Sequence, residues 1–228
     1  MSIFSYLVDL FYPNLCLICG ETLVKDEQQL CLKCFNHIPK TNFHLQKDNP
    51  VEKRFWGKVP IEAASSYFFF QKGSGFQKLI HELKYRGNQE LGVILGRYAG
   101  IDLLRAENFQ KIDIIIPVPL HKSKEAKRGY NQSYLICKGL SEVMEKPLIS
   151  RNLVRMQERS TQTKKSVFER FENMQGIFSL RDPKELEGKH ILLVDDVLTT
   201  GSTLEACTHA ILQAKNVKVS VFTLALAI

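Results

Sequence analysis

Two adjacent carboxylates are the side chains of this sequence with the clearest chemical potential. Asp195 and Asp196 directly follow the apolar run Ile191–Val194, and such a run is typical of a strand that is buried on both faces. A helical pattern begins shortly afterwards, with an apolar stripe that starts at Leu204. Between the acids and this helix lies a loop of small and hydroxyl residues, Thr199, Thr200, Gly201, Ser202 and Thr203.

This order of residues predicts a site for a phosphorylated sugar. The free backbone N–H groups at a helix start, together with the helix dipole, favour an anion such as phosphate. The carboxylates of Asp195 and Asp196 are unsuited to phosphate, but they accept hydrogen bonds from sugar hydroxyls or hold Mg²⁺ through water. The loop and the acids would therefore bind different parts of one ligand.

A basic segment follows a second apolar run and indicates a second anion contact. The run Ile112–Val118 reads as a buried strand that leaves its sheet at the prolines of IDIIIPVP. We expect a loop after it, in which Arg128 can grip phosphate with two N–H groups and Gly129 lets the backbone approach closely. The candidate pyrophosphate contacts are Lys122, Arg128 and Gly129. A solvated, mobile loop is the alternative interpretation of this charge run.

Four cysteines near the start of the chain have the spacing of a metal site. Cys16, Cys19, Cys31 and Cys34 form two Cys-x₂-Cys pairs, which place four thiolates around one tetrahedral Zn²⁺. With four protein ligands the site would be closed and structural. The metal would stabilise a segment that is too short to form a large hydrophobic core. A redox dithiol pair is the alternative, and His37 is a further candidate ligand that reads more simply as a surface histidine.

Residues 151–175 are polar and basic and show no hydrophobic face, which is typical of a lid over a ligand site. Within this stretch, Arg159, Gln162 and Arg170 are candidate ligand contacts. Residues 39–58 are also polar and contain prolines, and they read as a linker or surface loop. Phe55 and Trp56 are exceptions that we expect to dock on the next domain, with a stacking platform for bases as the alternative. The segment 121–170 carries twelve Lys and Arg residues against five Asp and Glu, a surplus that equals the +7 net charge of the whole chain. This localised charge favours an anionic ligand or nucleic acid.

Alternating strands and helices in 228 residues predict an α/β protein with a parallel sheet, whose ligand site lies at the carboxyl ends of the strands. No apolar run reaches the length of about 20 residues that a membrane helix needs. The N-terminal stretch MSIFSYLVDLFYP has no Lys or Arg and therefore lacks the basic region of a signal peptide. We therefore expect a cytoplasmic protein.

A response-regulator receiver domain, in which LLVDD also occurs, is disfavoured because only 32 residues follow Asp196.

The stretch LLVDDVLTTGST resembles the phosphoribosyl-pyrophosphate (PRPP) motif of type I phosphoribosyltransferases. In that family two acids bind the ribose hydroxyls and the following loop amides bind the 5′-phosphate. The resemblance implies these roles for Asp195 and Asp196, and for the loop from Thr199 to Thr203. It also implies Mg²⁺ bound together with PRPP. Many purine-salvage members carry an acid where Thr199 stands here, and a threonine cannot replace it as a general base at neutral pH.

The layout of the whole chain is similar to that of the ComF family, competence-associated phosphoribosyltransferase-like proteins. The matching stretches are the four-cysteine knuckle, LKYRG at Leu83–Gly87, PVPLH to RGYNQ at Pro117–Gln132, a motif from Thr161 to Phe178, and DDVLTTGST. The resemblance implies a zinc-knuckle module and linker over residues 1–50 and a phosphoribosyltransferase-like domain over 51–228. It further implies phosphoribosyl transfer from PRPP in DNA uptake or nucleotide metabolism. The alternative is a non-catalytic PRPP or nucleotide sensor that binds single-stranded DNA or a recombination protein.

Overall fold

Four parallel strands form the central sheet of the molecule. A computed structural model describes residues 13–71, 73–156 and 177–228. The strands are β1 (Ala64–Phe70), β2 (Ile114–Pro117), β5 (His190–Leu198) and β6 (Lys218–Ala227). In the order β1-β6-β5-β2, all neighbouring strands of the sheet pair in parallel. The predicted parallel α/β sheet is therefore confirmed.

Strand β5 lies inside the sheet and contains the apolar run that the sequence marks as buried. Ile191, Leu192, Leu193 and Val194 are all fully buried, as expected for a strand with helices on both faces. The register places Val194 opposite Phe222 of β6 and opposite Pro117 of β2. The strand does not end at the acids, as the sequence suggests, but continues through them to Leu198.

Helices cover both faces of this sheet. They are α1 (Leu32–Asn36), α2 (Gln77–Tyr85), α3 (Gln89–Leu103), α4 (Glu107–Gln110), α5 (Lys122–Arg128), α6 (Gln132–Met144) and α7 (Ser202–Ile211). One core cluster includes buried side chains of α2, α3 and α6, and the other includes those of α7. The side chains of Asn88 and Asn131 accept hydrogen bonds from backbone N–H groups at the starts of α3 and α6, which satisfies donors that a helix leaves free.

A short antiparallel ribbon lies apart from the main sheet. It consists of β3 (Leu153–Arg155) and β4 (Phe178–Leu180), and Val154 pairs with Ser179. The chain between these strands contains the predicted lid contacts Arg159, Gln162 and Arg170, which lie outside the described residues. Their assignment stays a prediction.

Residues 39–58, which the sequence predicts as a linker or surface loop, contain no α-helix or β-strand, but part of the stretch packs against the domain. The Asn49 side chain is buried and donates hydrogen bonds to the carbonyl groups of Phe43, Gln46 and Ala64. Phe55 is buried in the same core cluster as α7. Two short 3₁₀ helices, Phe43–Leu45 and Glu52–Arg54, complete the segment. The polar composition of this stretch does not indicate these hydrogen bonds, one of which reaches the carbonyl group of Ala64, 15 residues along the chain.

The cysteine-rich segment packs on α2 and α3. The rings of Phe35 and Tyr98 lie with their centroids 4.3 Å apart, and Lys40 forms an ion pair of 2.8 Å with Asp102. Cys16, Cys31 and Cys34 belong to the same core cluster as the buried faces of these helices. The segment is therefore attached through both apolar and polar contacts. None of the described helices combines the length and the hydropathy required to span a membrane.

Candidate functional site

The carboxylates of Asp195 and Asp196 lie near the carboxyl end of β5, next to the start of α6. Oδ1 of Asp195 accepts hydrogen bonds from Ser133 Oγ at 2.9 Å and from the backbone N–H of Asp196 at 2.8 Å. Ser133 is held in turn at the first turn of α6, where its backbone N–H bonds to the Asn131 side chain. These contacts fix the orientation of one carboxylate before any ligand is present.

Lys84 is one of the residues at this site that the sequence analysis missed. Its Nζ lies 3.1 Å from Oδ2 of Asp196, and both side chains are mostly buried. In the sequence, a lysine in the last turn of α2 reads as a partner of the helix dipole. The signal that could have identified it is the LKYRG stretch, which belongs to the layout shared with the ComF family but carries no site assignment of its own.

The two acids together hold less negative charge near neutrality than two free carboxylates. Burial and, to a smaller extent, the neighbouring charge of Asp196 together raise the pKa of Asp195 to about 7. Hydrogen bonds from the Asp196 N–H and from Ser133, together with the nearby Lys84 charge, act in the opposite direction. Two close carboxylates of which one is partly desolvated gain from any ligand that donates hydrogen bonds or brings positive charge.

Replacement of Asp195 by asparagine is expected to stabilise the protein without ligand. The pKa of this group in the folded state, about 7, lies above its ordinary 3.8, so the folded state retains a proton that the unfolded state has lost. Stability contributed by the protonated form therefore falls as pH rises from about 4 to about 7. Asparagine keeps the acceptor for Ser133 and removes the charge.

Chemical denaturation at pH 6 and pH 8 measures this effect. Because the carboxyl is partly exposed, we expect the advantage of Asp195→Asn over the parent to grow by up to about 1 kcal/mol between these pH values. Glu187→Asn, at an exposed acid, is the control and should show no such growth. An advantage that is equal at both pH values would contradict the raised pKa.

The loop after the acids forms a small cavity at the start of α7. The cavity has a volume of about 40 Å³ and is lined by Asp195 and by residues 197–204, which is room for more than one water molecule. Gly201 has a φ of +87° at the residue before the helix, a conformation that other L-residues rarely adopt. The Arg54 guanidinium donates to the carbonyl oxygen of Thr199. The loop thus presents a helix N-terminus beside the acids, with Arg54 at its outer edge.

The basic segment contains a helix instead of the predicted loop. Helix α5 begins after His121, whose ring nitrogen accepts from the backbone N–H of Ser123, and ends at Gly129 with a φ of +80°. Helix-forming residues such as Glu125 and Ala126 favour this outcome. The side chain of Lys122 lies outside the described part of the structure.

Arg128 is placed close to the turn that holds Lys84. Its guanidinium lies 5.5 Å from the centroid of the Tyr85 ring and donates to Oε1 of Gln132 at 2.7 Å. The Tyr130 hydroxyl donates to the carbonyl oxygen of Leu83 at 2.8 Å. These contacts join the RGYNQ stretch to the LKYRG stretch, so the segment that contains Arg128 packs directly against the segment that contains Lys84.

Gln132 adds an unused donor to this group. The residue is almost completely buried, and its Nε2 has no hydrogen-bond partner among the described residues. Its neighbour Ser133 contacts Asp195, and Asp196 contacts Lys84. Direct contacts therefore link the acids to the start of α6, the start of α6 to Arg128, and Arg128 to the end of α2. Lys84, in the last turn of α2, contacts the acids in turn.

The four cysteines form a cluster with the dimensions of a zinc site. Their sulfur atoms all lie within 4.8 Å of one another, and Cys19 Sγ lies 3.7 Å from Cys31 Sγ. Tetrahedral Zn²⁺ with Zn–S bonds of about 2.3 Å places its sulfur ligands about 3.8 Å apart. Backbone N–H groups of Cys31 and Cys34 donate to the sulfurs of Cys16 and Cys31. The donor set therefore fits zinc, and His37 is not part of it: its ring bonds to the Lys33 carbonyl.

Electrostatics at the cluster also favour a bound cation. Burial would raise the pKa of Cys16, but hydrogen bonds from the backbone of Cys19, Cys31 and Ile18 lower it to about 6. Burial and the neighbouring thiols raise the pKa of Cys34 well above its ordinary value. Four sulfurs this close remain deprotonated together only with a central positive charge.

Two protein-family models match separate parts of the chain. Residues 131–227 match the model of the phosphoribosyl transferase domain, and residues 7–44 match that of the double zinc ribbon domain. Among solved structures, a purine phosphoribosyltransferase from Pyrococcus horikoshii Ot3 is similar at 18% identity with a TM-score of 0.38, over 59% of this chain and 73% of that chain.

Two relatives are similar over nearly the full length of the chain. The DNA utilization protein YhgH of Escherichia coli K12 is 29% identical, over 92% of this chain and 89% of its own. The competence protein ComFC of Bacillus subtilis 168 is 36% identical, over 92% of this chain and 94% of its own. The chain therefore belongs to the ComF family and combines an N-terminal four-cysteine zinc ribbon with a phosphoribosyltransferase-like domain.

Proposed function

We propose that this protein binds PRPP together with Mg²⁺ at the carboxyl end of β5. One observation carries the proposal: the paired carboxylates of Asp195 and Asp196 directly adjoin a loop cavity at a helix N-terminus. A ribose 5-phosphate needs hydrogen-bond acceptors for its hydroxyls and N–H donors for its phosphate, a few ångströms apart. This edge of the sheet offers both.

Each part of the site has a role in the proposal. The Asp195 carboxylate, oriented by Ser133, accepts from a ribose hydroxyl, and Asp196 accepts from the other. The backbone N–H groups of Thr199 to Thr203 hold the 5′-phosphate at the start of α7. Arg128 and Gly129, with Lys122, hold the pyrophosphate. Mg²⁺ would neutralise phosphate charge, and the acid pair would hold it through its water ligands.

The proposed reaction is transfer of the phosphoribosyl group. A nucleophile forms a bond to the anomeric carbon of the ribose while the bond from that carbon to the pyrophosphate oxygen breaks, and the bonding pair leaves with pyrophosphate. The chain contributes by positioning and by stabilising the charge of the leaving group near Arg128. Thr199 offers no general base, so the acceptor would have to be a nucleophile that needs no deprotonation by this loop.

The biological context of the proposal comes from the relatives. Their names associate one with DNA utilization and another with competence. We propose that this chain acts in DNA uptake or in nucleotide metabolism linked to it. The alternative function is a sensor that binds PRPP or a nucleotide without turnover and contacts single-stranded DNA or a recombination protein. The threonine at position 199 and the zinc ribbon are the observations that favour this alternative.

Thermal unfolding with Mg²⁺ and PRPP tests the proposed ligand. At a ligand concentration about 100 times the dissociation constant we expect about 2.7 kcal/mol of stabilisation, which is about 5 to 10 °C for a chain of this size. The variant Asp195→Asn with Asp196→Asn should lose the shift, because it loses the acceptors' charge while its shape is kept. Glu145→Gln with Glu187→Gln, at two exposed acids, changes the net charge equally and should keep it.

Two further measurements separate the enzyme from the sensor. Release of pyrophosphate from PRPP in the presence of a panel of bases and other nucleophiles would establish turnover. Binding of a labelled single strand, with an affinity that falls steeply as salt increases, would support the DNA-contacting sensor. A parent protein whose melting curve is unchanged at saturating Mg²⁺ and PRPP would refute the ligand common to both.

A further inference from the structure

The ion pair between Lys84 and Asp196 occupies the position where the acid pair would receive a cation. The two charged atoms are 3.1 Å apart, and the side chains expose 21% and 13% of their surface. Lys84 belongs to α2 and Asp196 to β5, so two separate elements must come together to form this contact. It is a specific feature of the site and not a loose surface pair.

Lys84 already supplies the positive charge that the acids need in the unliganded protein. Its ammonium group neutralises the carboxylate of Asp196, which directly follows Asp195 in β5. A divalent cation close to Asp196 and an ammonium group at hydrogen-bond distance from the same carboxylate repel each other strongly at a partly buried site. Binding of the cation at Asp196 therefore requires Lys84 to move away.

Donor groups connected to this site indicate where the ammonium group of Lys84 could bind once its ion pair with Asp196 is broken. The neighbouring residue Tyr85 carries the Arg128 guanidinium over its ring, and Arg128 is fixed by Gln132, whose Nε2 remains an unpartnered buried donor among the described residues. Lys84 contacts Asp196, and Ser133, the residue after Gln132, contacts Asp195, so the flexible amine and these donors are linked to the same pair of acids. A polyphosphate on these donors would offer the ammonium a replacement for the carboxylate.

We propose that Lys84 is an internal counter-ion that excludes free divalent cations from the acid pair and transfers its charge to the ligand's pyrophosphate when cation and ligand bind together. The proposal rests on the proposed function, because it assigns the partner of Lys84 in the bound state. It makes Lys84 a positioning residue that sets the order of binding: Mg²⁺ enters as a complex with PRPP and not alone.

Titration of Mg²⁺ without PRPP into the parent and three variants tests whether Lys84 keeps the cation from the acid pair. In Lys84→Met the stem is kept and the charge is lost, so millimolar Mg²⁺ without PRPP should raise the melting temperature and bind measurably by calorimetry. Lys84→Arg keeps the charge and should resist Mg²⁺ like the parent. Lys138→Met, at an exposed lysine on α6, is the control for the loss of one positive charge and should also behave like the parent.

PRPP binding supplies the second half of the test. With Mg²⁺ present, Lys84→Met should bind PRPP at least about tenfold more weakly than the parent, because one desolvated charge contact is missing. The proposal is overturned if the parent binds Mg²⁺ alone as well as Lys84→Met does, or if Lys84→Met retains full PRPP affinity. If the parent fails to bind PRPP at all, the proposed function fails, and the Mg²⁺ titration still decides whether Lys84 excludes the cation.

Discussion

Replacing Gly139 by alanine is expected to lower the melting temperature of the protein by about 6 to 12 °C, the equivalent of about 3 kcal/mol. Helices α3 and α6 cross at this residue. A Cβ atom on Gly139 would lie 2.7 Å from the backbone nitrogen of Arg97 and closer still to the carbonyl oxygen of Val93. Both neighbours are helix backbone and cannot rotate away, so the two helices must separate.

Gly100 provides a matched control on the same pair of helices. A Cβ atom there would meet the Val143 side chain at 3.3 Å, with the nearest backbone atom, the Cα of Leu140, at 3.6 Å. Alanine also favours a helix over glycine by about 1 kcal/mol, so Gly100→Ala should change the stability little. Equal losses in the two variants, measured by chemical denaturation, would show that the crossing adapts more easily than this geometry implies.

The same crossing affects the candidate site, because α6 begins with the residues that contact it. Ser133 donates to Asp195, and Gln132 accepts from Arg128. A displacement of α6 would therefore move the support of the acid pair as well as the core. Gly96 and Gly139 lie at the crossing because the two helix backbones approach so closely that a Cβ atom on either residue would overlap backbone atoms of the other helix.

The parts of the fold that the sequence predicts well are those determined by local patterns. Ile191–Val194 has no polar residue and proves fully buried, and Leu204 and Cys207 fall on the buried stripe of α7 as their spacing indicates. The four cysteines cluster because their spacing alone brings them together. In these cases the information lies within about twenty residues of chain, where periodicity and spacing are informative.

The parts that the sequence predicts poorly depend on partners far along the chain. Asn49 is buried because the carbonyl group of Ala64 and others accept from it, and a polar residue beside a proline gives no sign of this. Arg54 reaches Thr199, 145 residues away. Lys84 meets Asp196 only after the sheet and α2 have assembled. Tertiary contacts of this kind leave no periodic pattern in the sequence. The residue type alone therefore suggests a local role, such as the interaction of Lys84 with the dipole of its own helix.

Removal of zinc is expected to have the other large effect. Structural Zn²⁺ in small thiolate sites binds with an apparent free energy of about 10 to 16 kcal/mol at neutral pH, and in such segments this is folding energy. We expect about one zinc per chain, and we expect a chelator or Cys34→Ser to unfold residues 13–44. Metal analysis of freshly purified, reduced protein together with circular dichroism measures both outcomes.

The contacts of Gln29 extend this expectation to the sugar-phosphate site. Gln29 lies between the two cysteine pairs, and its side chain accepts from Asn88 at 2.7 Å and donates to Glu90 at 2.8 Å. Asn88 caps α3 directly after the turn that ends α2 and follows Lys84. Zinc loss should therefore weaken Mg²⁺-dependent PRPP binding as well as unfold the ribbon.

Gln29→Ala separates the two effects, because it removes these contacts while all four cysteines remain. The variant should retain its zinc and yet give a smaller PRPP-induced thermal shift than the parent. The control is Gln28→Ala, which changes the neighbouring residue and leaves the contacts to α3 in place. If Gln29→Ala retains the full shift, and the zinc-free protein does as well, the ribbon folds independently of the ligand site and its zinc has a role elsewhere in the molecule.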